Sequence, residues 1–145
     1  MSAIVEVWRP TTHSECVAVC DMINPLFGAV GKVSEPFFFE TYRTIVALTI
    51  GGEVIAALGV QELSGNEYRI RFGTVHPTFQ GMGYGTQLYG AVEGAVLEDG
   101  EITPITIVSF VDKDEEPFMR AVGFTPVPYH VDSEEGGVAF WRKTV

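Results

Sequence analysis

The sequence predicts a mixed α/β (α+β) fold: a single-domain sandwich with a central, mostly antiparallel sheet flanked by helices. Three observations predict it. Apolar runs of strand length, broken by glycine-rich turns, fill the middle of the chain at Arg43 to Ile50, Val54 to Leu63 and Glu67 to Val75. Helix-period patterns stand on either side of these runs, and another apolar run follows at Ile105 to Val111. With 145 residues, 1-145 reads as one domain, long enough to bury a core without staples.

A first strand is expected at Ile4 to Trp8, closed by Arg9-Pro10. Thr12 or Ser14 then caps a helix running towards Ile23, with Pro25 as its stop. From Asn24 to Tyr42 the chain is irregular and aromatic. Ser34-Glu35-Pro36 is a helix-start signature and predicts a short helix over Phe37-Phe38-Phe39, read most simply as core. The paired strands come next, joined through Gly51-Gly52, and the turn Ser64-Gly65-Asn66 leads to a third. That third strand alternates, with Tyr68, Ile70, Phe72 and Thr74 on one face and Glu67, Arg69 and Arg71 on the other.

Pro77 ends this strand. After a glycine-rich turn, Tyr84, Leu88, Ala91, Val92, Ala95 and Val96 recur at helical spacing, and Gly100 lies past the end. Gly85, Gly90 and Gly94 inside that helix each cost about 1 kcal/mol against alanine, and close packing on the sheet would be a reason to keep them. Asp114 is expected to cap a short helix that Gly123 terminates. Two last strands are expected around Pro126 to Val131 and Gly137 to Thr144.

Nineteen acidic against nine basic residues leave a formal net charge of −10, which argues against nucleic acid or an anionic membrane as a main partner. A cationic acceptor agrees with that charge. The two cysteines, Cys16 and Cys20, are too few for a disulfide framework, and no signal peptide is evident, so a cytoplasmic protein is expected. Thr44 to Val60 is apolar enough to mimic a membrane span. Its central Gly51-Gly52-Glu53 fits a hairpin better, because a charge in mid-bilayer costs roughly 2.5–3.5 kcal/mol at the low end.

The informative segment is Thr74-Val75-His76-Pro77-Thr78-Phe79-Gln80-Gly81-Met82-Gly83-Tyr84-Gly85-Thr86. A strand ends, the chain turns on alternating glycines and a helix begins at once. Glycines let a ligand approach the backbone, and a helix start presents unpaired N–H groups at a positive dipole end. The combination suits phosphate or pyrophosphate, although a plain strand-to-helix turn has the same glycines.

Gln80-Gly81-Met82-Gly83-Tyr84-Gly85 resembles the Q/R-x-x-G-x-G/A motif of the GNAT superfamily, the acetyl-CoA-dependent N-acetyltransferases. Val75-His76-Pro77, the Leu88 and Val92 helix, Arg9-Pro10 and the late helix ending Gly123-Phe124 are similar to its other elements. The likeness extends over essentially the whole chain and implies a single GNAT-like domain. It implies a cosubstrate, acetyl-CoA, whose pyrophosphate lies on backbone amides of Gln80, Gly81, Met82, Gly83, Tyr84, Gly85 and Thr86. Thr74 and Val75 would hydrogen-bond the pantetheine arm, with the Val75 amide polarising the thioester carbonyl. Asp112 stands where an asparagine often contacts the cofactor. The acceptor amine, on a small molecule, peptide or protein, would attack the thioester directly; a homodimer is left open.

The chemical positions depart from the family pattern. The late-helix tyrosine that protonates the thiolate is matched by Met119, and the central-strand glutamate used as a base is matched by Arg69. Glu67, two residues earlier on the same face, is the candidate base, acting through water. These departures keep a non-catalytic acyl-CoA-binding or interaction module as the alternative. A dinucleotide site fits less well, since Thr86 sits where the third glycine of G-x-G-x-x-G belongs. His13, Cys16 and Cys20 share a helix face at a spacing that could hold zinc. No clear fourth ligand follows, His76 and His130 being isolated, and core packing is the simpler reading; no metal is expected. The run from Asp112 to Glu116 reads as a solvated helix start.

Overall fold

A computed structural model describes residues 2–100, 103–127 and 139–145. Strand β1 (Ile4–Trp8) is followed by helices α1 (His13–Ala29) and α2 (Phe38–Thr41), then by the strands β2 (Thr44–Ile50), β3 (Glu53–Ser64) and β4 (Glu67–Val75). Helix α3 (Tyr84–Asp99), strand β5 (Thr106–Val111), helix α4 (Glu116–Ala121) and strands β6 (Thr125–Pro126) and β7 (Ala139–Thr144) complete the order. The strands form one sheet in the order β1-β2-β3-β4-β5-β7-β6, with every pairing antiparallel except β4 with β5. One face packs Leu48, Leu58, Ile70 and Ile107 against Leu88, Val92 and Val96 of α3 and Met119 of α4. The other packs Ile45, Ala47 and Ala57 against Val19, Ile23 and Phe27 of α1 and Phe39 of α2.

Helix α1 starts as expected, with the Thr12 hydroxyl accepting from the Glu15 amide. It does not stop before Pro25 but runs through it to Ala29. An interior proline costs about 3 kcal/mol. Leu26 and Phe27 beyond it are 1% and 3% exposed, and burying each returns roughly 1.5–3 kcal/mol, enough to carry the helix on. The true stop is Gly31 at φ +77: the Gly31 amide donates to the Gly28 carbonyl and the Lys32 amide to the Phe27 carbonyl, a Schellman end. Ser34 is not a helix cap either. It is buried, with its amide and hydroxyl donating to the Asn24 carboxamide oxygen, and α2 begins only at Phe38. Within the phenylalanine triplet Phe39 is core, whereas Phe37 is 69% exposed.

The membrane-like run is the β2–β3 hairpin, with Gly51 and Gly52 both at positive φ, and no described helix is long and apolar enough to cross a membrane. Strand β4 keeps the expected alternation only to Arg71. Arg71 pairs with Gly59 and Thr74 with Ala57, so three steps along β4 match two along β3. The extra residue is a β-bulge, with Phe72 at φ +64. It turns Phe72 away from Tyr68 and Ile70 and into the α1 face.

Close packing accounts for Gly85, where an added Cβ would lie 3.3 Å from the Phe118 ring of α4. Gly90 and Gly94 face open space, so that reason fails for them. Asp112 precedes a 3-10 turn, Lys113–Glu115, that runs into α4; Asp114 therefore lies inside the turn and caps nothing, while Gly123 ends the segment at φ +96. Residues 128–131 and 137–138 of the last expected strands, and His130, lie outside the described residues.

Candidate active site

The parallel pairing of β4 with β5 ends at Ile70 opposite Ser109, yet β4 continues to Val75 along β3. The two central strands therefore part, and a cavity of about 670 Å³ lies at the opening. Gly73, Thr74 and Val75 of β4, the glycine turn, Tyr89 of α3, and Glu115 and Phe118 line it. The direction of the strand amides follows from their alternation. The His76 amide donates to Ile55 on β3 at 2.7 Å, so the preceding Val75 amide faces the opening. The Val75 carbonyl points the same way and accepts from the Gln80 carboxamide at 3.1 Å, tying the turn to the strand end.

The turn itself is a 3-10 segment, Pro77–Phe79, followed by Gly81 and Gly83 at φ +78 and +86. Left-handed backbone suits glycine, and at both positions the space beside the Cα is open. The first bond into α3 runs from the Gln87 amide to the Gly83 carbonyl. The amides of Gly81, Met82, Gly83, Tyr84, Gly85 and Thr86 have no partner among the described residues, and no side chain caps this helix. Such a donor set at a helix start fits a diphosphate by geometry and dipole alone. No lysine or arginine lines the cavity, whereas Asp114 and Glu115 do.

Two groups in this cavity lie outside the expected site residues, one of them Glu115, which the sequence places in a solvated helix start and the structure leaves exposed. The Tyr89 hydroxyl sits against the β4 bulge, 2.6 Å from where a Cβ on Gly73 would stand, and has no hydrogen-bond partner among the described residues. Burial, with a smaller contribution from the Glu115 charge, pushes this phenol up to about 12, so it is protonated at neutral pH. The pKa of Glu115, an exposed side chain at the cavity rim, is raised from the ordinary carboxylate value by partial desolvation and the nearby Asp112 charge, against the lowering effects of a hydrogen bond with the Asp112 backbone and of Lys32. Lys32 belongs to the α1–α2 loop, so Glu115 feels both faces of the sheet.

Of the expected site residues, Thr74, Val75, Gln80, Gly81, Gly83, Gly85 and Thr86 line one cavity. Met82 (64% exposed) and Tyr84 belong to the turn without lining the cavity, and Tyr84 rests edge-on against Phe79. Asp112 is exposed and contributes through its coupling to Glu115. Glu67 is not brought to the site: it opens β4, and eight strand residues place it about 25 Å from Val75. Met119 is core at 1% exposure, and its neighbour Phe118, also without a hydroxyl, faces the cavity. His76 accepts from the Thr78 amide as a turn residue. His13 is exposed and Cys20 buried, and no described group of side chains could hold a metal ion.

A parted parallel strand pair beside a turn of amides with no partner among the described residues is the arrangement that the GNAT resemblance implies for an acetyl-CoA site. The acetyltransferase (GNAT) family model matches residues 12–124, and the chain belongs to that family. It is an N-acetyltransferase with acetyl-CoA as cosubstrate. Solved structures carry the same fold at low sequence identity. An aminoglycoside 6'-N-acetyltransferase complexed with coenzyme A is 14% identical, with TM-score 0.72 over 97% of this chain and 96% of that one. The ribosomal-protein-S18-alanine N-acetyltransferase from Escherichia coli is 14% identical, with TM-score 0.66 over 97% and 94%. N-acetylglutamate synthase from Neisseria gonorrhoeae, with coenzyme A and N-acetyl-glutamate, is 15% identical, with TM-score 0.66 over 99% of this chain but 36% of that one. No curated protein sequence matches the chain.

Proposed function

We propose that this enzyme transfers acetyl from acetyl-CoA to a primary amine in the opening between β4 and β5. The observation that carries the reading is the parting of the strands after Ile70 and Ser109, beside six partnerless amides. The amides from Gly81 to Thr86 hold the pyrophosphate, and the exposed edge of β4 at Gly73 to Val75 aligns the pantetheine arm. Bound acetyl-CoA supplies an activated acetyl group to the attacking amine, whose nitrogen loses a proton as the departing sulfur gains one. The Val75 amide donates to the carbonyl oxygen as charge gathers there. Tyr89 gives its phenolic proton to the sulfur, a role that neither Met119 nor Phe118 can fill. Glu115 takes the amine proton through water.

Release of CoA by the full chain over a panel of primary amines tests this. Amine-dependent release that falls tenfold or more in Tyr89→Phe, with unchanged acetyl-CoA affinity, supports it. Absence of acetyl-CoA binding at millimolar concentration overturns it.

A further inference from the structure

The face of the sheet opposite the cavity carries an unusual concentration of charge for this chain. Lys32, Arg69, Arg71 and Arg142 make up four of its nine cationic side chains. Arg69 and Arg71 share one face of β4, and the cross-strand register Gln61–Arg69–Val108–Arg142 puts Arg142 in the same row. The aromatic rings between them form a chain of contacts. Lys32 Nζ lies 5.9 Å and the Arg71 guanidinium 5.1 Å from the Phe72 ring centre, and Arg69 and Arg71 lie 5.5 and 5.8 Å from that of Phe110.

No carboxylate forms an ion pair with these groups among the described residues, where the pair present is Lys143 with Glu93. Glu115 reaches them only as a more distant charge on Lys32. Arg69 also keeps a buried Nε–H donor without a hydrogen-bond partner. Cations gathered this closely repel one another, and orphaned buried polar atoms cost stability. An anion on this face would relieve the repulsion. The fork of a guanidinium matches a carboxylate in two places at once, and the rings offer an apolar floor.

We propose that this face is the acceptor subsite and takes an amine that also carries a carboxylate, held by Arg69 and Arg71 with Lys32 beside them. The proposal rests on the acetyl-transfer reading of the cavity. Alternation along β4 puts Arg69 and Arg71 on the other side of the strand from Tyr89 and the glycine turn, and the bulge turns Phe72 to join them. An acceptor lying here presents its nitrogen towards Glu115 and Val75 while its carboxylate stays on the arginines. The net charge of −10 suggested a cationic acceptor; locally, beside the opening, the sign is reversed.

The test compares free L-amino acids, the matching amino-acid amides, acidic and neutral peptides, and spermidine as acceptors for the full chain. Arg69→Gln, Arg71→Gln and Lys32→Gln are assayed in parallel. The expected result is kcat/KM at least about tenfold higher for carboxylate-bearing amines than for their amides. Arg71→Gln then raises KM for the acid about tenfold and leaves KM for acetyl-CoA unchanged. Free amino acids outpacing peptides identify a small-molecule source; acidic peptides outpacing free amino acids identify a polypeptide one, and either supports the proposal. A preference for amides or spermidine, or an acid-to-amide ratio unmoved in both arginine variants, overturns it.

Failure of the acetyl-transfer reading appears separately, as lack of acetyl-CoA binding by calorimetry. The same amino acids titrated without acetyl-CoA then test the subsite alone. Salt-sensitive binding lost in Arg71→Gln supports it; no binding of any carboxylate-bearing amine at millimolar concentration overturns it.

Discussion

The two sides of the strand opening are built from different materials. On the α3 side the donors are backbone amides, set by Gly81 and Gly83 at positive φ and by the first turn of a helix. On the α1 side they are long cationic side chains, spaced by Phe72 and Phe110. Amides hold an anion without adding net charge, so an acidic chain can bind a diphosphate and still keep its scarce cations for the opposite face. Backbone donors are also fixed in place, whereas lysine and arginine must give up rotamer freedom to bind. The rigid side suits one unvarying cosubstrate. The side-chain side is where preference between acceptors is set.

The two sides should break separately. The largest effect is expected from Gly83→Val. A β-branched residue at φ +86 costs about 1–2 kcal/mol of strain and misaims at least one charge-assisted bond worth about 1.5–3 kcal/mol. Calorimetry of acetyl-CoA should show affinity falling by roughly a hundredfold, with calorimetric binding of a carboxylate-bearing amine kept. Tyr89→Phe comes next, with kcat down about tenfold or more, neither KM moved, and circular dichroism unchanged.

Glu115→Gln sharpens the link between the sides through the pH profile. Because partial desolvation raises the Glu115 pKa, the acidic limb of kcat/KM should be displaced upward from the ordinary carboxylate value and disappear in the variant. The sign for stability is the reverse: a raised folded-state pKa favours the protonated form, so the wild type loses stability as pH rises through it. Thermal melts should therefore show the variant gaining most above that range and nothing well below it. The smallest effect belongs to Thr12→Ala, which removes a cap far from both sides. It should cost about 1 kcal/mol and a few degrees of melting temperature, with kcat/KM unchanged.

Strand and helix order could be read from the chain because periodicity is local: β4 and the α3 span emerge from patterns within a few residues of one another. The end of α1 could not, because Pro25 is a strong local stop and the burial of Leu26 and Phe27 that overrides it comes from the sheet. Gly31, followed by Lys32, was the available signal. The Phe72 bulge was hidden because a phenylalanine fits an apolar face on either side of a strand. Arg69 and Arg71 were placed on one face from alternation, but Lys32 and Phe110 reach them from segments far along the chain. Tyr89 is hard to read from the chain for a different reason: the family pattern puts the proton donor on the late helix, whereas here the hydroxyl in the cavity stands on α3.

The single inserted residue at Phe72 makes β4 a strand of two parities. Before it, even-numbered side chains point towards α3; after it, that rule no longer holds. A one-residue deletion at this point would restore a regular ladder, in which Thr74 and Val75 keep Ala57 and Ala56 as partners and so keep their faces; what it would remove is the turn of Phe72 into the α1 face. The inserted residue thus leaves the strand end in register with β3 and gives the α1 chamber one more aromatic wall beside the opening.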